Sequence, residues 1–110
     1  MESTFVKIVV FVPVANADTI RGALGDSGAG KIGNYSHASF SSRGAGRFLP
    51  MANAHPAIGA VGKSEEVEEE RVETVCLRTD MEKVIAAVMA VHPYEEPAID
   101  VYPVEVMRRS

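Results

Sequence analysis

The chain has 110 residues, of which 46% are apolar and 24% are charged, and its formal net charge is -4. This length and composition are typical of one globular domain with a buried core, so we expect residues 1–110 to form a single domain. Because nucleic-acid phosphates require a basic face, the acidic balance argues against a nucleic-acid partner. No apolar run approaches the roughly 20 residues of a membrane helix, which predicts a cytoplasmic protein without membrane contact.

The first two predicted elements are a strand and a helix. Residues 5–12 form a β-branched and aromatic run that ends at Pro13, which is typical of a strand. The positions expected to pack on helices are Val6, Ile8, Val10 and Val12. A helix is predicted to begin after Asn16, a suitable N-cap, and to end near Gly25 and Gly28. Its apolar positions at helical spacing are Ala17, Ile20 and Leu24.

The middle of the chain has weaker signals. Residues 34–42 are predicted to form a second strand, with Ala38 and Phe40 at alternating positions. Residues 41–62 are rich in glycine, proline, alanine and serine, which indicates a long excursion with one or two short strands.

The glutamate-rich residues 65–73 are ambiguous between helix and strand. The alternation of Val72, Thr74 and Cys76 favours a strand with a charged outer face. We interpret the glutamates as a solvated face rather than a metal site. Cys76 is the only cysteine, which excludes an internal disulfide and a cysteine-based zinc site, and its apolar neighbours predict burial.

The second helix has the clearest pattern. Thr79 and Glu82 match a capping box, and the helix is expected to stop at His92-Pro93. Its apolar positions are Met81, Val84, Ile85 and Val88. Residues 98–106 predict the last strand, in which Pro103 indicates an edge or a bulge.

The order of these elements is β-α-β, an excursion, and β-α-β. Two such halves that share one antiparallel sheet, with both helices on one face, predict a ferredoxin-like α+β sandwich.

The glycine-rich residues 25–31 nearly match a P-loop, but Ile32 replaces the required Ser or Thr. The predicted context is also wrong, because this turn follows a helix and precedes a strand. We therefore interpret it as a flexible turn, with a backbone anion nest at Lys31 left open.

The three histidines, His37, His55 and His92, lack metal-ligand spacing, and a structural role is the more common one for a lone histidine. Convergence of His37 and His92 with Glu95 would nevertheless provide a site for a divalent metal. The corner at residues 92–97 is stiff and polar, because Pro93 and Pro97 restrict the residues before them. Such corners are common places for function.

Five segments occur together in a specific order. They are residues 28–36, 44–50, 56–59, 70–73 and 92–98. Together they resemble the inserted domain of the YqfO/Nif-three-like family, over nearly the whole chain. The resemblance implies a CutA/PII-like ferredoxin fold that associates as trimers. Larger members carry the insert in a hydrolase-like domain that binds two metals. The 110 residues do not resemble that surrounding domain, so we do not expect its ligands or hydrolase label to transfer.

The predicted function is a non-catalytic, regulatory domain that binds a small anionic metabolite or a divalent metal and forms a homo-oligomer, a trimer. The predicted ligand-binding residues are Gly28, Gly30, Lys31, Tyr35, Tyr94 and Glu95. The predicted metal ligands are His37, His92 and Glu95. Two alternatives stay open: metal-assisted hydrolysis by those same three residues, and a regulatory partner of a separate hydrolase-like protein.

Overall fold

The structure is a computed structural model that describes residues 3–109. Met1, Glu2 and Ser110 of the predicted domain lie outside this range, so the domain boundaries stay a prediction. The elements are β1 (Phe5–Pro13), α1 (Ala17–Asp26), β2 (Phe40–Phe48), β3 (Glu65–Leu77), α2 (Met81–Val91) and β4 (Ile99–Val104). Short 3-10 turns at Val14–Asn16 and Arg78–Asp80 lead into the two helices. Neither helix among residues 3–109 is long and apolar enough to cross a membrane.

The four strands form one sheet in the order β2-β3-β1-β4, and each neighbouring pair is antiparallel. Both helices pack on one face, which confirms the predicted ferredoxin-like sandwich. The predicted inward positions of β1 are each 0% exposed. The buried core is completed by residues from α1, α2, β3 and the turn after α1: Ala17, Ile20, Leu24, Ala29, Val72, Cys76, Val84 and Val88. Burial also raises the pKa of the Cys76 thiol, as expected for an inert buried residue.

The second strand begins later than predicted. The chain between α1 and Phe40 contains Gly33 at φ 55° and His37 at φ 60°, a left-handed conformation that a regular strand cannot hold. β2 then continues through Gly44 to Phe48, into the segment that was predicted to be an excursion with one or two short strands. Small residues made this stretch look irregular, but it pairs with β3 over its full length.

The predicted capping box of the second helix is wrong. Residues Arg78–Asp80 form a 3-10 turn, so Thr79 lies inside that turn and Asp80 occupies the N-cap position. No side-chain hydrogen bond caps α2. At the other end the helix stops at Val91 as expected, because Pro93 restricts His92 to an extended conformation.

The glutamates of β3 were predicted to form a solvated face, but two of them are buried. Glu69 and Glu70 are 9% and 8% exposed. Glu70 points toward the helices and accepts a hydrogen bond at 2.6 Å from Arg21, which also donates to Asp18 and Ser41. The hydrogen bonds to Asp18 and Glu70 raise the pKa of Arg21. Glu70 therefore has a cationic partner, whereas Glu69 faces the other side of the sheet.

The face of the sheet opposite the helices is called here the open face. Directly opposed residues of antiparallel strands point to the same side, so Phe40 and Glu73, as well as Tyr102 and Lys7, share this face. Lys7 and Glu73 form an ion pair at 3.2 Å, and this contact lowers the pKa of Glu73. Phe40 is 67% exposed and Tyr102 is 40% exposed. The open face therefore combines paired charges with exposed aromatic rings.

β2 and β3 extend beyond the rest of the sheet. The last residue of β1, Pro13, pairs with Glu69, so residues 65–68 of β3 pair only with β2. This two-stranded extension carries Phe48 past the end of β1 and alongside the proline-bounded corner. β4 forms the opposite edge, and Pro103 lies in it as predicted.

Candidate functional site

The corner at residues 92–97 is anchored by His92. Its Nε2–H donates to the carbonyl oxygen of Phe11 at 2.8 Å, and its Nδ1 accepts the main-chain N–H of Tyr94 at 3.1 Å. The His92 residue is 9% exposed. Because both ring nitrogens are engaged by the main chain, His92 holds the corner against the end of β1.

Tyr94 turns from this corner onto the open face and contacts β3. Its hydroxyl donates to Oε2 of Glu69 at 2.8 Å. The Glu69 side chain lies over Gly46 of β2, and a Cβ at Gly46 would collide with the Glu69 carboxylate. The neighbouring Gly44 has open space at the same position. The missing side chain of Gly46, unlike that of Gly44, therefore makes room for the Glu69 carboxylate.

The Tyr94 ring, which carries this hydroxyl, contacts two other rings, those of Phe48 and His92. The rings of Phe48 and Tyr94 meet edge to face, with centroids 5.8 Å apart and an interplanar angle of 63°. The ring of His92 lies 5.3 Å from that of Tyr94 on the corner side. These contacts fix the orientation of Tyr94 from both sides.

A cleft of about 700 Å³ opens above this arrangement, and we call it the corner cleft. It is bordered by the end of β2, by the loop at residues 49–58, and by the corner itself. Glu95 accepts the main-chain N–H of His55 at 3.0 Å, which ties the loop to the corner. The apolar lining residues are Phe11, Phe48, Leu49, Pro50, Met51, Ala52, Ala54, Pro56, Ala57, Ile58 and Ala98.

The charged groups that line the corner cleft are mostly acidic. Glu69, Glu95 and Glu96 contribute carboxylates, and Arg47 contributes a single guanidinium. Arg47 is itself paired with Glu66 at 3.1 Å. The cleft therefore combines apolar and aromatic walls with negative charge.

The pKa of Tyr94 is raised, first by burial of the phenol and then by its hydrogen bond to the Glu69 carboxylate. The folded protein therefore holds this proton more tightly than the unfolded chain, in which tyrosine ionises near a pH of about 10. Above that pH the folded state binds more protons, so stability falls as the pH rises further. We expect the free energy of unfolding to fall more steeply between about pH 10 and pH 11.5 than in a Tyr94→Phe variant. Urea unfolding of both proteins across this range is the measurement, and parallel curves would contradict the prediction.

The predicted ligand-binding residues do not meet in one place within the described chain. Tyr94 and Glu95 line the corner cleft. Gly30 and Lys31 line a separate depression of about 420 Å³ beside the segment 104–108. Tyr35 is 78% exposed. Neither Tyr35 nor Gly28 borders either of these two spaces. In this chain the corner thus lies against Gly46 and not against the glycine-rich turn.

The glycine-rich turn has few free main-chain donors. The N–H groups of Gly28, Ala29, Gly30 and Ile32 donate to carbonyls of Gly25, Leu24, Val75 and Tyr35. Gly30 and Gly33 have φ values of 81° and 55°, which suits a tight turn. Because these amides already have partners, they offer no row of donors to an anion.

The predicted metal ligands are likewise separated by their contacts. His37 lies beside the end of α1, with Nε2 2.9 Å from Asp26 and Nδ1 2.9 Å from Ser36. His92 and Glu95 are engaged at the corner, as described above. Among residues 3–109, no three His, Cys, Asp or Glu side chains are grouped to hold a metal ion. Metal binding stays a prediction, with no prearranged ligand set within one chain to support it.

The sequence analysis did not name Glu69, Gly46 or Phe48 among the binding residues. Glu69 lies in a run of similar charges, and Gly46 and Phe48 were assigned to the excursion. A glycine in a strand can mark a close approach of another group. The register pairs Glu69 directly with Gly44, and the Glu69 side chain reaches diagonally over Gly46, so the register alone does not select Gly46.

Solved structures with low sequence identity define the class of fold. CutA from Archaeoglobus fulgidus, a divalent cation tolerance protein, superposes with a TM-score of 0.63 over 96% of this chain and 88% of that chain, at 17% identity. GlnK from Bacillus subtilis gives a TM-score of 0.61 over 93% and 86%, at 21% identity. The chain therefore has the CutA/PII-like ferredoxin fold. No family model matches it.

Relatives of higher identity are longer proteins. The chain is 50% identical over 97 residues to the GTP cyclohydrolase 1 type 2 homolog of Halalkalibacterium halodurans, covering 88% of this chain and 26% of the relative. The homolog in Bacillus subtilis is also 50% identical, over 99 residues. A Bacillus cereus protein related to NIF3 superposes with a TM-score of 0.82 at 48% identity, over 96% of this chain and 27% of that chain. The chain is a homologue of one segment of these NIF3-related proteins and spans about a quarter of their length.

Proposed function

We propose that this chain is a non-catalytic regulatory domain that binds a small ligand in the corner cleft and works as a cytoplasmic homotrimer. The observation that carries this proposal is the hydrogen bond between Tyr94 and Glu69, which lies beside Gly46 in a cleft with mainly apolar lining residues. Concave sites of this size with a few fixed polar groups are typical of small-molecule binding.

The contacts of the titratable groups support binding rather than catalysis. A general acid or base must reach the substrate with a free, titratable atom. Both nitrogens of His92 are engaged by the main chain, and the raised pKa of Tyr94 keeps its phenol protonated. Cys76 is buried in the core. His92, Tyr94 and Cys76 therefore offer no free titratable atom to a substrate.

The open face supports the proposed assembly. Phe40 is 67% exposed on this face and lies in an edge strand, and Tyr102 lies in the other edge strand. An oligomer would cover such rings and the unpaired strand edges.

Ligand binding is tested by ¹H–¹⁵N spectra recorded with defined probes: ATP, Mg²⁺, Zn²⁺, choline and 3,3-dimethylbutan-1-ol. ATP is included because Bacillus subtilis GlnK is known as an ATP complex. We expect at least one probe to shift the amides of residues 46–54 and 94–98 in the wild type. A Gly46→Val variant, whose cleft floor is displaced, should not respond at these residues. A wild type that responds to no probe, or a variant that responds equally, would refute the ligand site.

Assembly is tested by size-exclusion chromatography with light scattering. We expect a mass of three times the 11.8 kDa of the chain, and a lower mass for Phe40→Asp. Val61→Asp is the matched control, because Val61 is an exposed apolar residue of the loop between β2 and β3. A monomeric wild type, or equal effects of the two substitutions, would contradict the trimer.

The second candidate function is a regulatory partner of a separate hydrolase-like protein. It is favoured by one observation: the relatives carry the matching segment in chains of which it makes up only about a quarter. Co-elution of the purified chain with a purified full-length relative at micromolar concentration would support it. Separate elution of the two proteins would count against it.

A further inference from the structure

We propose that the ligand of the corner cleft is a small organic cation, an ammonium or guanidinium compound, whose positive charge is recognised by Glu69. This inference rests on the proposed function, since it names the ligand class of the same cleft.

The first argument is the burial of Glu69 without a counter-charge. Its side chain lines the cleft, the residue is 9% exposed, and its hydrogen-bond partner is the neutral hydroxyl of Tyr94. None of the ion pairs formed within residues 3–109 includes Glu69. The adjacent Glu70 is buried to the same extent but is paired with Arg21 at 2.6 Å. Burial of a carboxylate costs free energy unless a cation compensates it. Glu69 therefore lacks one compensating positive charge.

The second argument is the pair of rings above this carboxylate. Phe48 and Tyr94 meet edge to face and present two aromatic surfaces at the cleft. Ring faces attract ammonium and guanidinium groups, and aromatic cages are a common way to bind them. A third ring at the border, Phe11, already has the guanidinium of Arg71 5.9 Å from its centroid. The surfaces left for a ligand are those of Phe48 and Tyr94.

The remaining ligand classes fit less well. A hard metal ion such as Mg²⁺ or Ca²⁺ requires about six or more oxygen ligands, and Zn²⁺ favours His and Cys. The cleft instead offers mainly apolar side chains around Glu69. An anion would meet Glu69, Glu95 and Glu96, and among residues 3–109 Arg47 is the only cationic residue that lines the cleft. An organic cation needs one counter-charge and apolar walls, which are the features present.

The test compares choline with 3,3-dimethylbutan-1-ol, which has the same shape but carbon in place of the charged nitrogen. Isothermal titration of the full chain should give a dissociation constant about tenfold or more lower for choline. In Glu69→Gln, which keeps an oxygen for Tyr94, this preference should fall below about threefold. Glu68→Gln removes an exposed carboxylate from the same strand and should keep the wild-type preference. Thermal melts of the variants verify that each is folded.

Each outcome decides between the two proposals. Equal affinity for choline and its neutral analogue would overturn the cation inference. Binding of ATP or a metal in the cleft, without choline, would overturn the inference and leave the proposed function standing. If no probe binds, both fail. If choline does not bind and Glu69→Gln disrupts the oligomer, a Lys or Arg of a second copy fills the cleft, and a free ligand is refuted.

Discussion

Replacing Gly46 with valine is expected to lower the free energy of unfolding by about 3 kcal/mol. The new side chain would occupy the space of the Glu69 carboxylate, which must then move away from Tyr94. The cost has two parts: the strain of overpacking, and the loss of a hydrogen bond to a buried charged group. Urea unfolding at neutral pH measures the change.

The matched control is Gly44→Val. Gly44 lies in the same strand and on the same face, but a Cβ there has open space. Valine is favoured in strands and glycine is not, so this substitution should change stability by less than about 1 kcal/mol. Equal losses for the two variants would show that the Glu69 side chain does not depend on the missing Cβ of Gly46.

Replacing Tyr94 with phenylalanine is expected to destabilise the protein by about 2 kcal/mol. The substitution keeps the ring that contacts Phe48 and His92 but removes the hydroxyl that donates to Glu69. The buried Glu69 carboxylate then loses its hydrogen-bond donor, and leaving a buried acceptor without a partner costs free energy. Tyr102→Phe, at a partly exposed tyrosine in β4, should cost less than about 0.5 kcal/mol.

A double-mutant cycle separates this hydrogen bond from other effects. Tyr94→Phe combined with Glu69→Met replaces both partners by apolar groups, so it should be less destabilising than Tyr94→Phe alone. The coupling energy is expected to be about 2 kcal/mol, as is typical of a hydrogen bond to a charged group. Additive effects of the two substitutions would mean that Tyr94 and Glu69 do not interact.

The elements with strong local signals were predicted well from the sequence. The β-branched and aromatic run at residues 5–12 identified β1, and helical periodicity identified α2; both elements contribute to the same core. Pro93 marked the end of α2 correctly, since the restriction that it imposes acts on the residue before it. The ferredoxin-like fold followed from the order of these elements.

The second strand could not be placed correctly, because its register depends on a partner distant in sequence. Gly44 and Gly46 have low strand propensity, and the pairing of β2 with β3 overrides it. The surroundings of each glutamate in β3 also depend on this long-range pairing. Glu69 and Glu70 look alike in the sequence, but one faces a cleft and the other faces Arg21.

The proline-bounded corner was singled out from Pro93 and Pro97, and its stiffness stays a prediction. The residues predicted to bind a ligand border different spaces within one chain. Tyr94 and Glu95 share a cleft, whereas Lys31 lies in a different depression. The sequence carries no information on which turn the corner approaches, since that is set by the packing of the sheet. Phe48 reaches the corner only because β2 and β3 extend past β1.

The most direct test of the central claim is a crystal structure of the protein with benzyltrimethylammonium at a concentration that saturates binding. The account predicts that the cation lies in the corner cleft, with its nitrogen within about 6 Å of the Phe48 or Tyr94 ring centroid and facing Glu69. An empty corner cleft, or a cation bound only elsewhere on the molecule, would contradict it.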